Sequence, residues 1–328
     1  MTSSGGIPTC ALPPFLSLVR RSLEAWGPLR KEHPLAEGML QRYADLDDFL
    51  GEKSVMFWFF QQRESFLSQG TMTKWGRDRL DHYILLPGFP GFVTRRECFF
   101  VSHFWQTRDH PDPFGTHLRL HQNELRLQPW SYIWVDWTCI PQHPRSQLEE
   151  LYFLRALKTM PGIIRNCGFS WFYPPFEARL WILFEITEYT LTCEGELAPT
   201  ADIAIYREHI REMVQVGVQP TLERHGYRCT FERDKEFLTS WMEVLVLIRR
   251  LGIDVLEARR VMDNLTWPVG VQTIARNIAA RGVLRLQLYE GIMTLGGERY
   301  TFKPFPKWED GKYSKTSSLR SASSVTNQ

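Results

Sequence analysis

Three short apolar runs, CFFVSHFW (98–105), YIWVDWTCI (132–140) and CGFSWFY (167–173), follow one another with amphipathic segments between them. Largely apolar runs of this length fit strands buried on both faces. The segment FGTHLRLHQNELRLQ (114–128) carries Leu118 and Leu125 at helical spacing. RSQLEELYFLRALKTM (145–160) reads as an amphipathic helix, with Ser146 as its cap and Glu149 three residues on, the spacing of a capping box. PFEARLWILFEITEYTLTC (175–193) begins with proline at an expected first turn. ADIAIY (201–206) is expected to be a fourth strand, followed by a helix over REHIREMV. Strand and helix in alternation predict an α/β fold, an open parallel sheet with helices on both faces.

The flanks read differently. Residues 1–13 are expected to be a flexible lead and 14–90 an N-terminal helical region, with DLDDFLGEKSVMFWFFQQRESFL forming two helical pieces that part near Gly51. The α/β domain is placed at 91–217. Residues 218–310 are expected to form a helical C-terminal region that includes VQTIARNIAARGVLRLQLYEGIM, and the Ser-rich stretch 311–328 a disordered tail.

Composition narrows the function classes. A formal net charge of +2 signals no polyanion, so no nucleic-acid partner is expected. No apolar stretch nears the ~18 residues of a membrane span, and the first residues make a poor secretory signal, so a cytoplasmic location without membrane contact is expected. The 6 cysteines form no CxxC pair and sit mostly in apolar surroundings, as free buried thiols in a reducing compartment do. No metal site or bound cofactor is expected. Dinucleotide and phosphate-loop glycine motifs, HExxH and GxSxG are all absent. HPDP (110–113) reads as turn chemistry, and Cys139 near His143 as a structural thiol rather than a nucleophile.

Ligands of open parallel sheets bind where strands end. The first run ends on Ser102, His103 and Trp105, the second on Asp136 and Trp137, the third on Phe172 and Tyr173. The helix from 176 adds a stripe of residues 177, 181, 185 and 188, in which Trp181 stands one turn before Glu185. A carboxylate beside an indole in a recess is suited to proton handling or to stabilising positive charge.

FFVSHFW, YIWVDWTCIPQ and ARLWILFE, in that order, resemble the successive blocks of the fungal heterokaryon-incompatibility (HET) domain. Trp134, Asp136, Cys139, Ile140 and Gln142 fall at that family's spacing in the middle block, as do Arg179, Trp181 and Glu185 in the third. His103 departs from the pattern, standing where the family usually has tyrosine. The HET domain is in turn similar to the Toll/interleukin-receptor (TIR) fold, so the resemblance implies a flavodoxin-like sheet of about five parallel strands. It also implies cleavage of the N-glycosidic bond of NAD, or of a related nucleotide, in a self/non-self or defence response. Glu185 would then be catalytic, with Ser102, His103, Trp105, Asp136 and Trp181 binding a nucleotide-type substrate. Alternatives are a non-catalytic module that signals by homo-oligomerising, and an accessory or tailoring enzyme of a fungal biosynthetic pathway.

Overall fold

The computed structural model describes residues 12–107, 109–172, 176–193, 197, 200–266, 271–309 and 312–314. The chain divides into two compact units, Met1–Pro175 with Met262–Gly270, and Phe176–Val261 with Val271–Gln328.

The first unit is built on a five-stranded mixed sheet of β1 (Phe57–Gln62), β2 (Tyr83–Pro87), β3 (Cys98–His103), β4 (Tyr132–Trp134) and β5 (Gly168–Phe172), in the order β2-β1-β4-β3-β5. Its helices are α1 (Pro14–Ala25), α2 (Leu29–Glu32), α3 (Pro34–Gln41), α4 (Leu46–Gly51), α5 (Arg63–Leu67), α6 (Thr116–Leu125), α7 (Asp136–Cys139) and α8 (Gln147–Asn166). β3 pairs in parallel with both β4 and β5, while β1 runs antiparallel to β4 and to β2. The three runs read as parallel strands are therefore parallel strands, although the middle one is shorter than expected because Asp136–Cys139 coil into the single turn α7. The capping box at Ser146 and Glu149 is present at the start of α8.

Alternation along β3 separates two cores. Val101, with Phe99 partly buried beside it, joins Leu118, Leu125, Ile133, Val135 and Trp137 beneath α6. Phe100 points the other way, stacking on Trp134 of β4 at 5.3 Å and on Phe169 of β5 at 5.6 Å. That row of rings ties the three parallel strands side to side.

Two expectations for the first unit are corrected. VMFWFFQQ is not helical: its residues 57–62 form β1, buried on both faces, so the run carries no alternation to distinguish strand from helix. Residues 83–87, placed in the helical N-terminal region, form β2.

The second unit holds α9 (Leu180–Thr192), α10 (Ala201–Val216), α11 (Val218–Arg224), α12 (Glu232–Arg250) and the start of α13 (Val255–Thr266). Four antiparallel strands, β6 (Thr273–Ile278), β7 (Gly282–Gln287), β8 (Ile292–Leu295) and β9 (Glu298–Thr301), form a meander, and β10 (Lys307–Glu309) pairs with β11 (Lys312–Ser314). The fourth strand expected at 201–206 is instead the first turns of α10. Ile203, Tyr206, Ile210 and Met213 are buried at helical spacing and Ile205 is exposed, so period 3.6 prevails over the short apparent alternation. The helix expected over VQTIARNIAARGVLRLQLYEGIM is replaced by β6, β7 and β8. Leu284 and Leu286 are buried around exposed Arg285, and Gly282 and Gly291 take φ of 88° and 66° at the turns. Residues 312–314 of the expected disordered tail form β11, whereas residues 1–11 of the lead, 310, and 311 and 315–328 of the tail lie outside the described residues.

Within the first unit the fully enclosed Arg165 of α8 donates to Asp263 at 2.9 Å and to Thr266 at 3.2 Å. Removing one partner of a buried ion pair leaves a charge with poorer compensation. Asp263→Ala is therefore expected to lower unfolding free energy by about 2–4 kcal/mol in urea denaturation.

Candidate functional site

Chain order and sheet order diverge at β3. The chain passes from β3 to β4 on one side and returns to β5 on the other. In doubly wound sheets such a reversal marks the crevice where ligands bind, beyond the carboxyl ends of the two strands that flank it, here β3 and β5. His103 ends β3, Trp105 follows it, and Asp136 opens α7 just after β4.

Asp136 links these segments. Its Oδ1 accepts from His103 Nε2 at 3.1 Å and from the Trp137 amide at 2.6 Å, while Oδ2 accepts from the Trp105 indole at 3.0 Å. Burial by itself would raise the Asp136 carboxyl. The His103 ring and these N–H donors outweigh it and hold the group below the ordinary carboxylate range. Gln142, picked out by the motif spacing, donates to the Asp136 carbonyl at 2.9 Å and so fixes the loop rather than the carboxylate. Trp137 closes the floor, meeting Trp105 edge-on at 5.4 Å and donating its indole N–H to the Met72 carbonyl.

Of the residues expected at the strand ends, His103, Trp105 and Asp136 are joined by direct hydrogen bonds. Ser102 is buried, and strand alternation directs it to the opposite face of β3 from His103. Tyr173 lies outside the described residues, and Phe172 ends β5. Trp134 belongs to the aromatic row of the core. Cys139 is fully enclosed, and burial pushes its thiol up to about 11, as suits a structural cysteine. In HPDP, Asp112 accepts from the amides of Thr116 and Leu118, each at 2.8 Å, and supplies the cap that Gly115 cannot.

Beneath this rim lies a polar chain that the sequence reading missed. Ser170 of β5 donates to Glu124 at 3.1 Å and accepts from Nδ1 of His121 at 2.9 Å. This fixes the tautomer and leaves His121 Nε2 as a buried lone pair without a hydrogen-bond partner. Nδ1 of His103 is likewise buried without one. His117, one turn before His121, meets Gln106 at 3.0 Å. Burial, then the neighbouring His103 and His117, drive the pKa of His121 down to about 3, and burial lowers His117 too. The signal was present as HLRLH, two histidines one turn apart beside Leu118 on the inward face of α6. Among the described residues no group of three or more His, Cys, Asp or Glu is arranged to hold a metal ion.

Trp181 and Glu185 belong to α9 in the second unit. Both are half-buried, and Trp181 meets Phe184 edge-on at 5.8 Å. The stripe expected through 177, 181, 185 and 188 is corrected at both ends. Glu177 precedes the helix, because the backbone of 178–180 pairs with Arg228 (Arg228 N–H to the Ala178 carbonyl, 2.8 Å; Leu180 N–H to the Arg228 carbonyl, 2.9 Å) and is held extended. Glu188 is not at the surface but fully buried, accepting the Trp241 indole at 2.6 Å.

Two outcomes follow from the strand-end geometry. Asp136→Ala strands the His103, Trp105 and Trp137 N–H groups and is expected to cost about 2–4 kcal/mol in chemical denaturation. His121 stays neutral in the folded state and titrates near 6.5 once unfolded, so the unfolded chain takes up its proton first. Stability should therefore fall as pH drops from about 6.5 towards about 3, by up to about 1.4 kcal/mol per pH unit. In His121→Gln that acid slope should be shallower, as read from denaturation midpoints across the range.

No protein-family model, curated protein or solved structure matches the chain.

Proposed function

We propose that the protein is a HET/TIR-like enzyme that cleaves the N-glycosidic bond of NAD or a related nucleotide, on a flavodoxin-like parallel core. The observation that supports this reading above others is the β4-β3-β5 order, in which the first parallel strand lies between the second and the third, as in flavodoxin-like sheets. His103, Trp105 and Asp136 beyond those strand ends are suited to hydrogen bonding and stacking on a nucleotide. The resemblance also assigns Trp181 and Ser102 to substrate binding, the latter buried on the face of β3 opposite His103.

In the reaction, the bond from the ribose anomeric carbon to the nicotinamide nitrogen breaks and nicotinamide leaves with the bonding pair. Water then adds to the anomeric carbon and releases a proton. The transition state has oxocarbenium character, and Glu185 stabilises that positive charge or holds the ribose hydroxyls.

A second reading, a non-catalytic self-associating module, draws on a separate observation. Three donors of the fold already occupy the Asp136 carboxylate, which is how a structural lock is built.

Purified protein incubated with NAD is expected to release free nicotinamide, and Glu185→Ala to reduce the rate by about 100-fold or more. No release at high protein concentration, or an unaffected variant, overturns the catalytic reading. Concentration-dependent assembly that persists in Glu185→Ala without any release supports the second.

A further inference from the structure

Cys98 opens β3, and Cys167 immediately precedes β5 in an extended conformation, with φ of −91° and ψ of 162°. The parallel register sets Phe99 opposite Gly168 and Phe100 opposite Phe169, so Cys98 and Cys167 face each other one rung earlier. Register partners in a sheet project to the same side, and the stacked Phe100 and Phe169 rings show that side to be common to these positions. Phe99 lies across Gly168 on the other face, so it is not on the side shared by the two cysteines. Neighbouring strands lie ~4.7–4.9 Å apart, within the ~4.4–6.8 Å between α-carbons that a disulfide spans. Both side chains are fully buried, and after burial itself the neighbouring Cys98 thiol is the next cause raising that of Cys167. Both cysteines are reduced in this structure.

We propose that Cys98 and Cys167 are a modification site, a dithiol that a peroxide closes to a cross-strand disulfide. One sulfur attacks a peroxide oxygen, giving a sulfenic acid and, from hydrogen peroxide, water. The second thiol displaces that hydroxyl as another water, so two thiols lose two protons and two electrons and one S–S bond forms. Burial raises the Cys167 thiol well above its usual range, so that thiol is protonated when enclosed and the bond closes slowly, through local opening. The bond would clamp the start of β3 to the start of β5, the two strands whose far ends frame the crevice. This inference is independent of any NAD chemistry.

The test treats the full-length folded protein with hydrogen peroxide, blocks remaining thiols by alkylation and maps tryptic peptides. Cleavage after Arg96 and Arg165 puts the two cysteines on separate peptides. The expected result is a linked peptide pair containing Cys98 and Cys167, two hydrogens lighter than the sum of the reduced peptides. It should be reversed by dithiothreitol, absent in Cys98→Ser and in Cys167→Ser, and accompanied by a thermal midpoint raised by roughly 5–10 °C. Both thiols still alkylated as free after peroxide has oxidised the half-buried Cys229, or either cysteine paired with Cys139 or Cys193, overturns the proposal. The wild-type peptide map decides the question even if a serine variant fails to fold.

Discussion

The parallel pairing of β3 with a strand on each side is the constraint on which the first unit rests. A strand in that position has no edge and no wet face, so every side chain from Cys98 to His103 must find a partner among apolar neighbours or hydrogen-bonding groups. Phe100 meets this demand by stacking between Trp134 and Phe169, and Val101 by packing under Leu118 and Leu125. Gly168 has no side chain because the Phe99 ring occupies that space: a β-carbon there would sit 2.7 Å from it. A one-residue slip of β5 would bring Phe169 against that ring, so the Phe99–Gly168 rung helps to fix the register.

The same pairing gathers polar groups at the carboxyl ends of the strands, and the protein satisfies most of them internally. Asp136 takes three N–H donors, and Ser170 relays between Glu124 and His121. Buried polar groups are costly unless bonded, so these links hold β3, the turn after β4, β5 and α6 in mutual register. The buried ring nitrogens without partners, on His103 and His121, mark where this internal accounting stops. Keeping His121 neutral is the energetic consequence, since a charged ring there would face burial together with two other imidazoles.

The second unit answers the same physical demands with other means. Its helices bury carboxylate Glu188 against the Trp241 indole, and its sheet is a local meander in which each strand pairs with its neighbour in sequence. Glu185, half-buried one turn after Trp181 on α9, has a surrounding quite unlike that of Glu188 three residues on. Period and spacing put both on one stripe, yet only packing separates a carboxylate sealed in the core from one that retains contact with solvent.

Local chemistry was sufficient for the three parallel strands, for α6 and α8, for the Ser146–Glu149 box and for the enclosed cysteines. In each case the controlling interactions lie within a few residues or depend only on how apolar the run is. It also brought His103, Trp105 and Asp136 together, because strand ends in a parallel sheet must share a rim. Tertiary structure decided the rest. VMFWFFQQ becomes a strand because β2 and β4 supply the hydrogen bonds on its two edges, and residues 201–206 become helix because a stripe extending to Met213 finds a core. Likewise the direction in which the chain returns from β4 to β5, and with it the position of the crevice and the meeting of Cys98 with Cys167, depends on partners distant in sequence, which no local pattern encodes.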